Sequence, residues 1–220
     1  MPRLFTYCVR VDDGAAPNPY WGVCTLTICK PVIRRTAKVG DWIVGTGSVE
    51  RGLGGQIVYA MEVSAVMPLA EYDKWTREHC PEKIPDVNHR DLRRRVGDSI
   101  YDYSVSDPPV QRPGVHLAGN IKTDLGGKNA LLSLNFYYFG RDAEPLPDDL
   151  QCIVHQTQGH KVNANDPHVD RFLSWFRKQG FERNCVRTEP DLLQEIASGL
   201  SGCAEPRRRC DEEDEKTPVC

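Results

Sequence analysis

The sequence GVCTLTICKPVIRRTAKVGDWIVGTGS, residues 22–48, carries more information about the fold than any other stretch of the chain. A basic turn leads into Gly40-Asp41, and the residues that follow are strongly β-prone. Glycines at five positions between 45 and 55 then connect to a second β-prone run. A backbone with so few side chains can lie close to a flat ligand. We therefore expect two strands joined by a glycine hairpin, with a binding surface beside it.

The other elements are predicted from hydrophobic periodicity and from proline and glycine boundaries. The predicted strands are Leu4–Val11, Asp41–Thr46, Gln56–Val66 and Ala130–Gly140. The predicted helices are Pro31–Ala37, Pro68–His79, Asp166–Gly180 and Pro190–Leu200. Between them, Cys80–Asn129 is proline-rich with little periodicity, and loops of that length are usually functional or disordered. This order predicts an α+β fold on a small curved sheet or barrel, and disfavours a doubly wound parallel sheet.

Length and charge limit the class of protein. A chain of 220 residues is long enough for one domain with a sizeable core, which we place at 1–200, followed by a disordered charged tail at 201–220. The net charge of −3 is neither that of a disordered chain nor that of a general DNA binder. The sequence shows no signal-peptide core and no apolar run of membrane-spanning length, so we expect a soluble, cytoplasmic protein with no membrane contact.

The cysteines and the familiar motifs exclude several kinds of site. Nine cysteines are scattered without a Cys-x-x-Cys pair, which favours reduced thiols over a disulfide framework or a zinc site. The sequence contains no Walker phosphate loop, no dinucleotide fingerprint and no nucleophile elbow. We therefore predict no metal and no cofactor.

Two basic clusters are candidates for phosphate contacts. The residues are Arg34, Arg35 and Lys38 in the first cluster and Arg93, Arg94 and Arg95 in the second. A solvated surface with one or two ion pairs explains them equally well. The aromatic residues Tyr20, Trp21 and Trp42 bracket the first cluster and favour contact with a nucleic acid, because bases stack on aromatic rings. Each of these rings, taken alone, is more typical of a core.

A candidate for proton transfer lies in the irregular region. His116, Asn120 and Asp124 fall within nine positions and together offer an imidazole, an amide and a carboxylate. The alternative, which we prefer from the sequence, is that Asn120 and Asp124 are turn residues. A thiol such as Cys24 could act with this set, since Lys30 is near it in sequence and a cation favours the thiolate.

Several stretches resemble the nucleotide modification associated domain 2 family of bacteria and phages. They are the opening stretch, RRRVGDSIY at 93–101, NFYYFG at 135–140 and GHKVNANDPHVDRFLSWF at 159–176. The resemblance covers most of residues 3–181. It implies a link to systems that make or handle modified bases, and it assigns no catalytic residue.

A more distant likeness concerns architecture. The order of Trp21-Gly22-Val23, Lys38-Val39-Gly40-Asp41, Ser48 and the run 58–63 is similar to that of the EVE and YTH branch of PUA-like domains. That likeness implies a small barrel that holds a modified base in an aromatic cage, with Trp21 and Ser48 at matching positions. Cys24-Thr25 stand where the EVE branch has Arg-Asn.

Three functions remain open from the sequence. The leading hypothesis is a binding module without catalysis that recognises a modified base or nucleotide in DNA or RNA. Its ligand-binding residues would be Trp21, Trp42, Thr46 and Ser48. The second hypothesis is an enzyme acting on a base or nucleotide through the region around His116. The third is a structural or partner-binding protein, in which the basic run from Arg90 to Arg95 docks on an acidic partner. A protein of the same modification system is a further expected partner.

Overall fold

The computed structural model describes residues 1–198. The predicted tail and the end of the last predicted helix lie outside the described residues. The strands are β1 (Leu4–Val9), β2 (Cys24–Leu26), β3 (Trp42–Gly47), β4 (Gln56–Glu62), β5 (Ala65–Pro68), β6 (Tyr101–Asp102), β7 (Val110–Gln111), β8 (Asn129–Ser133), β9 (Asn135–Tyr138), β10 (Glu144–Pro145) and β11 (Cys185–Val186). The α-helices are α1 (Pro31–Thr36), α2 (Leu69–His79), α3 (Leu92–Arg95), α4 (Ile121–Gly126) and α5 (Val169–Lys178).

The main sheet is mixed. Its strands follow the order β1-β3-β4-β9-β11, and β10 pairs with the start of β4. β1 runs parallel to β3, the pairs β3–β4 and β4–β9 are antiparallel, and β9 and β11 are parallel. The predicted glycine hairpin is the β3–β4 connection, and it contains a 3₁₀ turn at Val49–Arg51. The register shifts between Gly45 and Thr46, a bulge that bends the strand.

A second sheet of three antiparallel strands has the order β2-β8-β5. The chain passes from the main sheet into it between β4 and β5, and returns between β8 and β9. At this corner the N–H of Ser64 donates to the carbonyl of Leu132 at 2.8 Å, and the N–H of Leu134 donates to Oγ of Ser64 at 2.9 Å. The run predicted as one strand, Ala130–Gly140, is therefore two strands in two sheets.

The main sheet is buried on both faces. Alternate residues of β1 and β3, such as Phe5, Tyr7 and Ile43, pack in a core shared with the second sheet and with α1. The opposite face, which includes Trp42, packs against the apolar stripe of α5. The predicted α+β class is confirmed at the level of a mixed α/β fold, whereas the sheets do not close into a barrel.

The long region 80–129 is ordered by a buried polar network. The ammonium group of Lys83 is fully buried and lies 2.7 to 2.9 Å from oxygen atoms of Asn18, Val23 and Thr25. The hydroxyl of Thr25 donates in turn to Asp98 at 2.6 Å. A buried charge costs several kcal/mol unless it is hydrogen-bonded in this way. The network fixes the region against β2 and so determines where the residues that follow it lie.

No helix within residues 1–198 is long and apolar enough to cross a membrane.

Candidate functional site

Three side chains from distant parts of the sequence meet near the end of β2. The Sγ atom of Cys29 lies 3.4 Å from Nε2 of His116. The other ring nitrogen, Nδ1, lies 2.6 Å from Oδ2 of Asp124. His116 and Asp124 are buried, whereas Cys29 is partly exposed. This is the order of groups in which a histidine activates a nucleophile and a carboxylate orients the histidine.

The loop between β2 and α1 presents the thiol. Cys29 and Lys30 have φ angles of 56° and 39°, a left-handed conformation that is uncommon outside glycine and recurs at functional sites. The N–H of Cys29 donates to Oδ1 of Asp124 at 2.8 Å. Asp124 thus holds the backbone of the cysteine with one oxygen and the ring of His116 with the other. The hydroxyl of Tyr101 also donates to Oδ2 of Asp124 at 2.9 Å.

Arg34 ties the same loop to the segment that carries Asp124. Its fully buried guanidinium donates from Nε to the carbonyl of Cys29 at 2.7 Å, from Nη1 to the carbonyl of Asn129 at 2.9 Å, and from Nη2 to the carbonyl of Asp124. Gly127 makes room for it, since a Cβ built there would lie 2.1 Å from Cζ of Arg34. The prediction that Arg34 contacts phosphates is therefore wrong, because the guanidinium is enclosed by the protein.

The charge of His116 follows from its neighbours. Burial alone lowers the pKa of a histidine, because it disfavours the charged ring. The negative charge of Cys29 and the hydrogen bonds to Asp124 and Cys29 outweigh burial and raise the pKa of His116 to about 11. A histidine with this pKa is an imidazolium at neutral pH. A cation beside a cysteine favours the thiolate, which is the nucleophilic form of the residue.

A further buried acid, Asp13, responds to the same charges. Its pKa is raised to about 6, mainly by burial and also by the charge of Cys29, while the charge of His116 lowers it. Oδ1 of Asp13 accepts the N–H of Ala15 at 2.9 Å. Oδ2 has no hydrogen-bond partner among the described residues. Asp13 is thus a buried carboxyl that exchanges its proton near neutral pH within electrostatic range of the thiol.

Cys29, His116 and Asp124 also have the side-chain types of metal ligands, and one potential ligand atom from each lies within 4.8 Å of the others. The orientation of the imidazole argues against shared ligation. A metal held by Sγ and Nε2 would have Asp124 on the far side of the ring, as an outer partner that orients the histidine. Only two protein ligands would remain, fewer than the three of a catalytic zinc site. The geometry fits a nucleophile triad better.

A comparison with known protein families identifies the family of this chain. A family model described as nucleotide modification associated domain 2 matches residues 1–195. The chain belongs to this family. The family description links the domain to nucleotide modification. No curated protein and no solved structure matches it, so the likeness to PUA-like domains stays a prediction.

The cysteine of this nucleotide modification associated domain that meets His116 is Cys29, and the prediction of Cys24 is wrong. Cys24 is fully buried in β2, and burial raises the pKa of its thiol to about 12. A signal for Cys29 was present in the sequence. It stands two residues before Pro31, the predicted first residue of a helix, and thiolates are favoured at helix starts. The oxygen of Asn120 accepts the N–H of Leu117 at 3.0 Å, so Asn120 is a turn residue. The same alternative does not describe Asp124, which lies in α4 and contacts His116.

The predicted ligand-binding residues do not form one cage in the domain. Trp42 is 5% exposed and packs against Tyr137, Phe172 and Phe176, which leaves its ring unavailable to a ligand. Thr46 is buried, and its hydroxyl lies 3.1 and 3.0 Å from the carbonyl oxygens of Tyr7 and His155.

Ser48 is also buried, at 5% exposure just after β3. Trp21 alone of the four is partly exposed and lines an open cleft.

The other arginine and lysine residues predicted to contact phosphates do not form one surface. Arg35 and Lys38 are exposed, and Arg35 donates to the carbonyl of Gly126 at 2.7 Å. Arg94 is partly buried, and Arg95 donates to the carbonyl of His89 at 2.6 Å. Arg93 lies with its Cζ 5.4 Å from the ring of Trp21. The aromatic side chain predicted to accompany the first basic cluster therefore accompanies the second.

Proposed function

We propose that this chain is an enzyme of a nucleotide modification system that uses Cys29 as a nucleophile toward a base-linked or nucleotide-linked carbonyl group. The observation that carries the proposal is the order Cys29–His116–Asp124, with contacts of 3.4 and 2.6 Å. Of the hypotheses left open by the sequence, this geometry supports the enzyme acting on a base or nucleotide. The family supplies the nucleotide context.

The reaction divides into two steps. In the first, the thiolate of Cys29 forms a bond to the carbonyl carbon, and the π electrons of the carbonyl move to oxygen. They return as the bond to the leaving group breaks, and Nε2 of His116 gives its proton to that group. The products are a thioester on Cys29, a neutral imidazole and the protonated leaving group. In the second step, His116 takes a proton from water or another acceptor as the oxygen or nitrogen of that acceptor attacks the thioester carbon. The C–S bond breaks, the acyl group leaves on the acceptor, and the thiolate–imidazolium pair is restored.

Asp124 and Arg34 position the reacting groups and do not themselves react. Asp124 accepts from Nδ1 and so leaves Nε2 facing the sulfur, which is the tautomer and ring orientation that the proton transfer needs. Arg34 holds the carbonyl of Cys29 and the carbonyl of Asp124, so the thiol and the carboxylate keep their separation. Small displacements of such groups slow a reaction considerably.

A simple acyl donor tests the chemistry without knowledge of the natural substrate. p-Nitrophenyl acetate should give a burst of nitrophenol equal to the enzyme concentration, and intact-mass and peptide mass spectrometry should find the acetyl group on Cys29. Cys29→Ser should remove the burst, whereas Cys152→Ser, which changes an exposed cysteine outside the site, should keep it. Acetylation of Cys152 in preference to Cys29 would refute the proposal. Recovery of the burst only after a chelator would indicate a metal site instead.

The second candidate is recognition of a modified base or nucleotide without chemistry. It is favoured by Trp21, whose partly exposed ring stands on a cleft beside Arg93. Stacking of a base on an aromatic ring contributes about 1 to 3 kcal/mol. The earlier partners in this hypothesis, Thr46 and Ser48, are buried and contribute to it only by shaping the backbone near β3.

Fluorescence titration with modified and unmodified oligonucleotides tests this candidate. Recognition predicts that a modified oligonucleotide binds at least about tenfold more tightly than its unmodified counterpart, which corresponds to about 1.4 kcal/mol. The preference should persist as salt is raised, since it depends on the base and not on the phosphates. Equal, weak and salt-suppressed binding of all oligonucleotides would show charge attraction alone.

A further inference from the structure

An open cleft of about 520 Å³ lies apart from the thiol site, since none of Cys29, His116 and Asp124 lines it. Its walls come from the segment around Trp21, from Arg93 in α3 and from the segments on either side of β11. Arg93, Arg141 and Arg187 all line the cleft, and Glu189 is the acidic residue among its lining side chains. Three guanidinium groups around one concavity indicate an anionic ligand.

The three arginines differ in how far their charges are already paired. Arg93 donates from Nε and Nη2 to Asp91, with contacts of 2.6 to 3.1 Å. Arg187 donates from Nη1 to Glu144 at 2.8 Å. Arg141 is exposed and makes no hydrogen bond or ion pair with any residue in the described part of the chain. The cleft therefore holds one uncommitted guanidinium and two that retain unused donors.

Arg187 and Glu189 are held in place by aromatic neighbours. The Cζ atom of Arg187 lies 4.5 Å from the ring centre of Phe139 and 5.3 Å from that of Phe181. Glu189 accepts the hydroxyl of Tyr20 at 2.7 Å. This hydrogen bond from a neutral hydroxyl fixes the position of the carboxylate and leaves its charge. The lining residues include three arginines and this one acid, so their charges together favour an anion.

Trp21 adds a flat apolar surface to this charged cleft. It has a φ angle of 66° and is followed by Gly22 at 78°, so the chain makes a left-handed turn at a bulky residue, where such a conformation is a true outlier. The turn sets the indole beside Arg93 at the cleft wall. A phosphate group suits the arginines and an aromatic base suits the indole, and a nucleotide joins both in one molecule.

We infer that this cleft binds the phosphate and base of a nucleotide unit, with Arg141 as its principal phosphate contact and Trp21 as its stacking surface. The inference rests on the recognition candidate, which it deepens, and it is independent of the thiol chemistry. The nucleotide unit belongs either to a free nucleotide or to a nucleic acid strand. Both carry the phosphate that the arginines recognise, and binding measurements distinguish them.

The test uses a fluorescein-labelled hexathymidylate and its displacement by thymidine 5′-monophosphate or thymidine, followed by fluorescence anisotropy with the full-length protein. Arg141→Glu should weaken binding of the hexamer by about tenfold or more, the loss typical of a charged hydrogen-bond donor. Arg177→Glu on α5 makes the same charge change at an exposed position outside the cleft and should change affinity by less than about twofold. Trp21→Ala should also weaken binding of the hexamer. Thymidine, which lacks the phosphate, should not displace the hexamer from the unaltered protein.

The displacement results distinguish a free nucleotide from a nucleic acid strand, and they distinguish the phosphate site from the recognition candidate. Displacement of the hexamer by the monophosphate at low concentration identifies a free-nucleotide site. Displacement by longer strands and not by the monophosphate identifies a nucleic-acid site. Each result supports the inference. Equal losses in the Arg141 and Arg177 variants, or displacement by thymidine as effective as by its monophosphate, would overturn it. Absence of binding by the unaltered protein would overturn it as well. If Arg141 matters and modified oligonucleotides are not preferred, the recognition candidate fails and the phosphate site stands.

Discussion

Cys29 should react with iodoacetamide at pH 6 on the order of 100-fold faster than the exposed Cys152, and His116→Ala should remove most of this advantage. An ordinary thiol titrates near pH 8.5, so at pH 6 less than about 1% of it is thiolate. The pKa of His116 is raised to about 11, and its imidazolium keeps a thiolate beside it. Alkylation of Cys29 should therefore change little between pH 6 and pH 9, whereas alkylation of an ordinary thiol rises about tenfold per pH unit below about pH 8.5.

The raised pKa of His116 also determines how folding stability should depend on pH. The contribution of the charged His116 to folding stability is fully present below the pKa of an unfolded histidine, about 6.5, and is lost as the pH rises through about 11. The alkylation rates of the cysteines are measured by quantitative peptide mass spectrometry over time. Asp124→Asn is an informative companion, because it keeps the shape of the carboxylate and removes its charge.

An alkylation rate of Cys29 that rises from pH 6 to pH 9 as that of an ordinary thiol does would contradict the thiolate–imidazolium pair. Cys24 provides an internal comparison, since it is fully buried and the pKa of its thiol is raised to about 12. It should remain unlabelled in the folded protein and become labelled in denaturant.

Gly127→Ala should destabilise the protein by about 2 to 4 kcal/mol, whereas Gly126→Ala at the neighbouring position should change its stability by less than about 1 kcal/mol. A Cβ at Gly127 would lie 2.1 Å from Cζ of Arg34, but at Gly126 the nearest atom is Nη1 of Arg35 at 4.0 Å. Arg34 cannot move aside cheaply, because its guanidinium is buried and donates to three carbonyl groups. Displacing it would leave those buried carbonyls unpaired.

Urea unfolding followed by circular dichroism measures this pair of variants. Arg34→Met, which keeps an unbranched chain and removes the guanidinium, should destabilise the protein by a similar amount, about 3 kcal/mol. The Gly127→Ala variant should also lose the rapid alkylation of Cys29 at temperatures where it remains folded, because the thiol and Asp124 are held by the same guanidinium. Equal stability of the two alanine variants would refute the role of Arg34 as the connector of the site.

The sequence predicts those parts of the fold that are determined locally. The hairpin between β3 and β4 has Gly52, Gly54 and Gly55 in its turn, and α5 has an apolar stripe at helical spacing, so both are evident without tertiary information. The division of Ala130–Gly140 into β8 and β9 is not. Its residues are mostly apolar or aromatic, and the corner between the two sheets is hydrogen-bonded to Ser64, which is distant in sequence.

The candidate site shows the same limit. His116 and Asp124 lie eight positions apart, and their proximity in sequence was enough to suggest them. Cys29 lies 87 positions from His116, and the choice between it and Cys24 depends on burial, which sequence distance does not reveal. Arg34 was misinterpreted for a similar reason. A run of basic residues is usually solvated, and only the position of Gly127 shows that this arginine has a space inside the protein.

The separation of the triad along the chain has a consequence for protein synthesis. Cys29 leaves the ribosome long before His116, and its backbone N–H contacts a carboxylate 95 positions further on. Contacts of such long range form late in folding. A nascent or partly folded chain therefore carries Cys29 as an unremarkable thiol, with no imidazolium beside it. In the proposed reaction, the sulfur is activated only when the two halves of its surroundings have closed on each other, and we expect the growing polypeptide to resist premature oxidation or acylation at this position.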